Sequence, residues 1–164
     1  MDNNTDRNLV VDVKNLHISF KTFKGYSKVL NGVNLQVHKR ERIAIVGETG
    51  CGKTTTVSAI AQILAKQARV DKGEIFFNGK SVLKMNAKEL KKMRENGISI
   101  IFQDPIASLN PVFTIGNQMR EVIRYSGIDG ATDKNVQTER TIAALKETSM
   151  LDPERIMESY PFQL

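Results

Sequence analysis

The stretch Ile43-Ala44-Ile45-Val46-Gly47-Glu48-Thr49-Gly50-Cys51-Gly52-Lys53-Thr54 decides how this chain reads. Its last eight residues, Gly47 to Thr54, make a complete phosphate-binding loop pattern. The four apolar residues before it predict a short, fully buried strand. After it, Val57, Ile60, Ala61 and Leu64 recur at helical spacing and predict a helix from Thr55 to about Lys66. Strand, glycine-rich turn and helix N-terminus together form an anion cradle: backbone N–H groups and the positive helix end face the α- and β-phosphates. Lys53 adds a cation near the β/γ oxygens, and the Thr54 hydroxyl is placed to ligate Mg²⁺. A turn that merely joined strand to helix would not need both Lys and Thr behind its last glycine.

The whole chain has 164 residues and a net charge of +6, and its composition is ordinary for a globular domain. Its length predicts one domain, or one domain with a satellite. No apolar run approaches the ~20 residues needed to span a bilayer. The first residues are polar and acidic, without the apolar segment of a secretory signal, so Asn3-Asn4-Thr5 reads as a chance match to the glycosylation pattern. The lone cysteine, Cys51, excludes an intrachain disulfide and fits a reducing compartment. Because it sits inside the loop, its alkylation should compete with nucleotide. Charge is uneven: the chain up to Phe102 carries +9 and the remainder −3. The basic residues are scattered and lack interleaved aromatics, which predicts a solvated face and no nucleic-acid partner.

Outward from the loop, Leu9–Phe20 alternates loosely and reads as an edge-type strand, and Lys21–Lys28 as a polar connection. Val29–His38 reads as a half-buried antiparallel strand, and Lys39–Arg42 as a charged turn. The histidines, His17 and His38, read as solvated strand residues. Lys72-Gly73 predicts a break before a strand at Glu74–Phe77, and Asn78-Gly79 a hairpin turn. Asn86 reads as the N-cap of a basic helix over Ala87–Glu95. Ile98–Phe102 is a second candidate buried strand. Beyond it the character changes: Thr114 caps a helix with Ile115, Met119, Val122 and Ile123 on one face, a second helix spans Thr132–Met150, and Asp152-Pro153 starts a third. The expected domains are residues 1–102, a nucleotide-binding α/β core, and 103–164, the start of a helical subdomain.

Gln103 follows the Ile98–Phe102 strand, at the end where polar groups face the nucleotide crevice of an α/β sheet, and its amide oxygen could reach Mg²⁺ or the attacking water. Here the sequence resembles the ATP-binding cassette (ABC) transporter ATPases. Gly47–Thr54 matches their first nucleotide motif, and Gln103 their glutamine that links nucleotide to membrane subunits. Phe102-Gln103-Asp104-Pro105 with Ser108-Leu109-Asn110-Pro111 is similar to the oligopeptide, dipeptide and nickel importer branch, as is Tyr160-Pro161-Phe162-Gln163-Leu164.

The resemblance implies an α/β P-loop NTPase fold of the ABC nucleotide-binding type, present in part: a mixed sheet with an antiparallel β edge plus an α-helical subdomain. It implies ATP and Mg²⁺ as cofactors. Phe20, Gly47, Glu48, Thr49, Gly50, Cys51, Gly52, Lys53, Thr54 and Thr55 would hold the nucleotide, and Thr54 and Gln103 the metal; Lys53 and Gln103 would act in catalysis. Phe20 matches the family's adenine-stacking aromatic, although core packing explains it equally, and Phe23 or Tyr26 could substitute. Implied partners are a second ATPase subunit, transmembrane permease subunits and, indirectly, a solute-binding protein, at the cytoplasmic face of the membrane. Residues matching the family's signature glycines and serine, its Mg²⁺-holding Asp, catalytic Glu and switch His are absent. The expectation is therefore a first half of a cassette that binds nucleotide weakly or folds poorly, and hydrolyses little. The alternatives are a non-catalytic nucleotide-binding fragment and a small P-loop kinase.

Overall fold

The computed structural model describes residues 8–164; Asn3-Asn4-Thr5 lies outside the described residues. In β1 (Leu9–Thr22), Val13, Leu16 and Ile18 are almost wholly buried. Burying such a side chain contributes about 1.5–3 kcal/mol, enough to draw this strand to the middle of a sheet. The sheet order is β2-β1-β3-β4, antiparallel throughout, with β2 (Gly25–His38), β3 (Ala68–Phe77) and the short β4 (Lys80–Ser81). β1 is thus not an edge strand: Val13 faces Leu35 on one side and Ile75 on the other. The expected long connection is also shorter. β1 runs on to Thr22, which pairs with Gly25, and Phe23 stands fully exposed at the hairpin tip.

Lys72-Gly73 does not break the chain; it lies inside β3. Asn15 and Leu16 of β1 make a bulge opposite Gly73, with Asn15 at φ 46°. Gly73 itself has φ 102°, and a Cβ there would lie 2.4 Å from the Asn15 carbonyl oxygen. Only glycine lets the two backbones approach so closely. Asn78 and Gly79, both at positive φ, make the expected tight hairpin between β3 and β4.

α1 (Lys53–Ile60) stops earlier than its apolar spacing suggested. Gln62 takes φ 55°, Ile63 N–H donates to Ser58 O at 2.9 Å, and Gln62 N–H donates to Ala59 O at 3.2 Å. This paired closure ends the helix with a left-handed residue just past its cap. α2 (Ala87–Asn96) has the expected N-cap, completed reciprocally. Asn86 Oδ1 accepts from Glu89 N–H at 3.0 Å, and Glu89 returns a carboxylate to Asn86 N–H at 3.1 Å. Val11, Val13, Leu16, Ile18, Leu30 and Ile75 of the sheet, with Ala59 and Ile60 of α1, make the core of this first unit, which ends at Ile98.

Two expected strands do not form. Residues 41–48 are irregular, and Val46 is 91% exposed. Residues 98–102 are likewise irregular, and Ile101 is 88% exposed. A buried parallel strand exists only through hydrogen-bonded neighbours, and among the described residues neither segment has one.

Ser99–Leu164 is a second compact unit. It holds α3 (Ile115–Arg124), α4 (Lys134–Glu147) and α5 (Pro153–Glu158), capped by Thr114, Asp133 and Asp152. α4 is shorter than expected at both ends: Asp133 accepts from Asn135 N–H at 2.7 Å to start it, and Ser149 at φ 62° closes it. Ile115, Leu145, Ile156 and Met157 form the centre of its core, with Met119 against them.

Candidate phosphate-binding site

The loop Gly47–Thr54 leads directly into α1. Gly52 is the N-cap, at φ 100°, and no side chain caps the helix. The first bond into the helix is Thr56 N–H to Gly52 O at 2.9 Å, which leaves the N–H groups of Lys53, Thr54 and Thr55 to face a ligand. Aligned peptide dipoles add a positive field at that end, and the first turn carries no acidic residue to offset it.

Glycine matters at three points, most at Gly52. A Cβ on Gly47 would stand 2.7 Å from Cys51 Sγ, so loop and cysteine pack against each other. A Cβ on Gly52 would stand 2.5 Å from Leu30 Cδ2 of β2, with Val29 O at 3.3 Å. At Gly50 there is open space, but its φ of 84° is a backbone conformation that side-chain-bearing residues rarely adopt. One loop amide is already used: Cys51 N–H donates to Glu48 O at 3.3 Å.

Lys53 reaches back over this turn. Its Nζ donates to Gly47 O and Glu48 O, both at 2.7 Å, and lies 3.7 Å from Cys51 Sγ. The ammonium therefore sits inside the loop, held by carbonyls that a phosphate oxygen would replace. Glu48, Thr49 and Thr54 are exposed, and Thr55 is half-buried. An uncapped helix end, an ammonium and a free-standing Thr54 hydroxyl fit a polyphosphate tail. Thr54 offers a single metal ligand, and among the described residues no group of three His, Cys, Asp or Glu is gathered to hold a metal by itself. A metal here would be shared with phosphate oxygens.

Phe20 is half-buried on the face of β1 that packs onto the first core, paired with Ser27 and Ala68. Its neighbours of the same type differ: Phe23 is at the exposed hairpin tip, and the Tyr26 ring carries the Arg69 guanidinium 4.1 Å above its centroid. Arg69 in turn donates to Asp71 at 2.7 Å, and Asp71 accepts from the Ser19 hydroxyl. Those two donors hold the Asp71 carboxyl below its usual range. His38 and Glu41 close the charged turn before the loop. Glu41 accepts from His38 N–H at 2.6 Å and from its ring at 3.1 Å, which lowers the Glu41 carboxyl likewise.

Gln103 belongs to the second unit, exposed on a bend. Asp104 after it accepts from Ala107 N–H at 3.1 Å. Further on, Gln118 of α3 clasps the backbone: its Oε1 accepts from Asn110 N–H at 2.8 Å, and its Nε2 donates to Asn110 O and Phe113 O at 3.0 Å. On α3, Ile115 is buried and Met119 half-buried in the core, while Val122 is 73% exposed beside an open groove. The apolar stripe expected on this helix is thus divided between core and surface.

Two residues holding the loop were not singled out from sequence. Leu30 presses on Gly52 from β2, and the buried Thr56 donates its Oγ1 to Gly52 O at 3.0 Å. The third threonine of Thr54-Thr55-Thr56 was a visible signal for the second; nothing in the sequence pointed to the first.

Residues 30–164 match the ABC transporter family. The chain belongs to that family. Over 165 residues it is 35% identical to a probable peptide ABC transporter ATP-binding protein of Sinorhizobium fredii, covering 100% of this chain and 48% of that protein. It is 36% identical to the dipeptide transport ATP-binding protein DppD of Bacillus subtilis, covering 94% of this chain and 45% of the relative. The ATP-binding cassette MJ0796, solved as a dimer in a post-hydrolysis state with ADP and phosphate, is similar at a TM-score of 0.78 and 25% identity. That match covers 94% of this chain and 62% of the cassette. The chain spans about half the length of the curated ABC relatives it matches. Among the described residues no helix is long and apolar enough to cross a membrane.

Proposed function

We infer that this chain is the ATP-binding part of an energy-coupling subunit of an ABC importer for peptides. The observation that carries the reading is the uncapped α1 N-terminus behind Gly52, with the Lys53 ammonium folded into the loop. The relatives named for peptide and dipeptide transport supply the solute class and favour peptides over nickel; family membership favours a transporter subunit over a small kinase.

Each residue has a role in this reading. Gly47, Gly50 and Gly52 let the backbone approach phosphate. The N–H groups of Lys53, Thr54 and Thr55 donate to phosphate oxygens, with Thr55 toward the α-phosphate. Lys53 Nζ leaves its two carbonyls and neutralises β/γ charge; Thr54 Oγ1 ligates Mg²⁺, with Gln103 as a further ligand and sensor. Glu48, Thr49 and Cys51 line the loop, and Phe20 is the adenine contact. Bound MgATP supplies the phosphoanhydride bond and a charge-screening cation. The partners are a second cassette, as in the dimeric MJ0796 structure, and permease subunits gripped by the exposed side of α3 at Val122. A solute-binding protein delivers the peptide, and the subunit sits peripherally on the cytoplasmic face of the membrane. Nucleotide-binding core and helical subdomain correspond to residues 1–102 and 103–164.

The test is titration of the 164-residue chain with a fluorescent ATP analogue. Saturable, Mg²⁺-dependent binding that Lys53→Ala removes is expected. Binding indifferent to that substitution defeats the reading.

A further inference from the structure

The Gly52 carbonyl and the Lys53 N–H are the two ends of one planar peptide unit, so fixing one direction fixes the other. The carbonyl accepts two bonds from Thr56: the backbone N–H at 2.9 Å and the side-chain Oγ1 at 3.0 Å. Both donors lie on the α1 side, so the Lys53 N–H at the opposite end points out of the helix into the loop. Gly52 is closed in from its other side by Leu30 Cδ2 and Val29 O. Glycine at φ 100° has no Cβ to resist rotation of its peptide. A rotated peptide would aim a carbonyl dipole, instead of an N–H, at an incoming anion.

We propose that Thr56 is a positioning residue for phosphate binding: its hydroxyl latches the Gly52–Lys53 peptide with the N–H facing the anion. This rests on the reading of Gly47–Thr54 as a phosphate site. Thr56 touches no phosphate itself; it is buried, with 5% of its surface exposed. Valine has the same shape and branching but leaves the Gly52 carbonyl one bond, from the residue 56 N–H, where the parent has two, so the peptide is held less firmly.

The experiment uses the full 164-residue chain and two probes, ATP with Mg²⁺ and inorganic pyrophosphate, with thermal unfolding measured on every variant. Thr56→Val should weaken both probes alike, by about fivefold, and lower the unfolding midpoint by no more than the roughly 2–4 °C that one net hydrogen bond is worth. Thr56→Ser, which keeps the donor, should stay within about twofold of the parent. Thr56→Ala is the second route should valine disturb packing. Affinities of Thr56→Val and Thr56→Ala equal to the parent, or losses that Thr56→Ser shares, overturn the latch. So does a loss confined to ATP and absent with pyrophosphate. Lys53→Ala separates the two readings: if it abolishes binding while the Thr56 variants bind normally, only the latch fails; if binding survives it, the phosphate site fails and the latch with it.

Discussion

Lys53 Nζ lies 2.7 Å from the Gly47 carbonyl oxygen, so the loop is closed on its own cation. Together with the bond to Glu48 O, this keeps the ammonium within the turn it must neutralise. Lys53→Ala removes a charge-assisted donor worth about 1.5–3 kcal/mol and should weaken ATP at least tenfold in a fluorescence titration. The unfolding midpoint should barely move, because the site is exposed.

Gly52→Ala should be far more disruptive than its size suggests. The added Cβ meets Leu30 Cδ2 at 2.5 Å and stands on a backbone at φ 100°. The combined clash and backbone strain should cost about 1–3 kcal/mol, read by denaturant unfolding. Adding Leu30→Ala should recover part of the steric loss, giving a double-mutant cycle with a clear interaction energy. Strictly additive losses would show that the two residues do not meet.

Cys51 is exposed and packs against Gly47 within the loop. Its alkylation by N-ethylmaleimide, followed by mass spectrometry, should slow in saturating MgATP, and the alkylated chain should bind nucleotide much more weakly. Equal rates with and without nucleotide would place the ligand elsewhere.

Asp71 ties three strands: it accepts from Ser19 of β1 and from Arg69 of β3, whose guanidinium lies over Tyr26 of β2. Its folded pKa is depressed, so the contribution is present above the unfolded carboxylate value and is lost as pH falls through the folded one. Below about pH 4 the unfolding midpoint of the parent should therefore fall more steeply than that of Asp71→Asn. Parallel pH profiles would contradict this.

The exposed apolar segments predict a contrast. Val46, 91% exposed, should accept threonine within about 0.5 kcal/mol in the isolated 164-residue chain. Val13, 1% exposed, should not, since a buried hydroxyl without a partner costs about 1–3 kcal/mol. The same chain should show little ATP turnover beside its nucleotide binding, measured by phosphate release.

How far the fold was legible follows from where its causes lie. Asn78-Gly79, the Asn86 N-cap and the Thr114 cap are local chemistry, and each was readable because a few adjacent residues suffice. The phosphate loop was readable for the same reason. Ile43–Val46 and Ile98–Phe102 were misread as formed strands because apolar, β-branched composition reports what a segment is suited to, while a strand needs a neighbour. Gly73 was misread as a break because its partner in the bulge, Asn15, is distant in sequence. Leu30 was invisible as part of the site for the same reason.

The Gln118 clasp has a mechanical consequence. With Asn110 moored at both its N–H and its carbonyl, only the short run 104–109 separates that mooring from Gln103. A displacement of Gln103 that travelled along this run would meet α3 at its first turn, through the Gln118 bonds to Asn110.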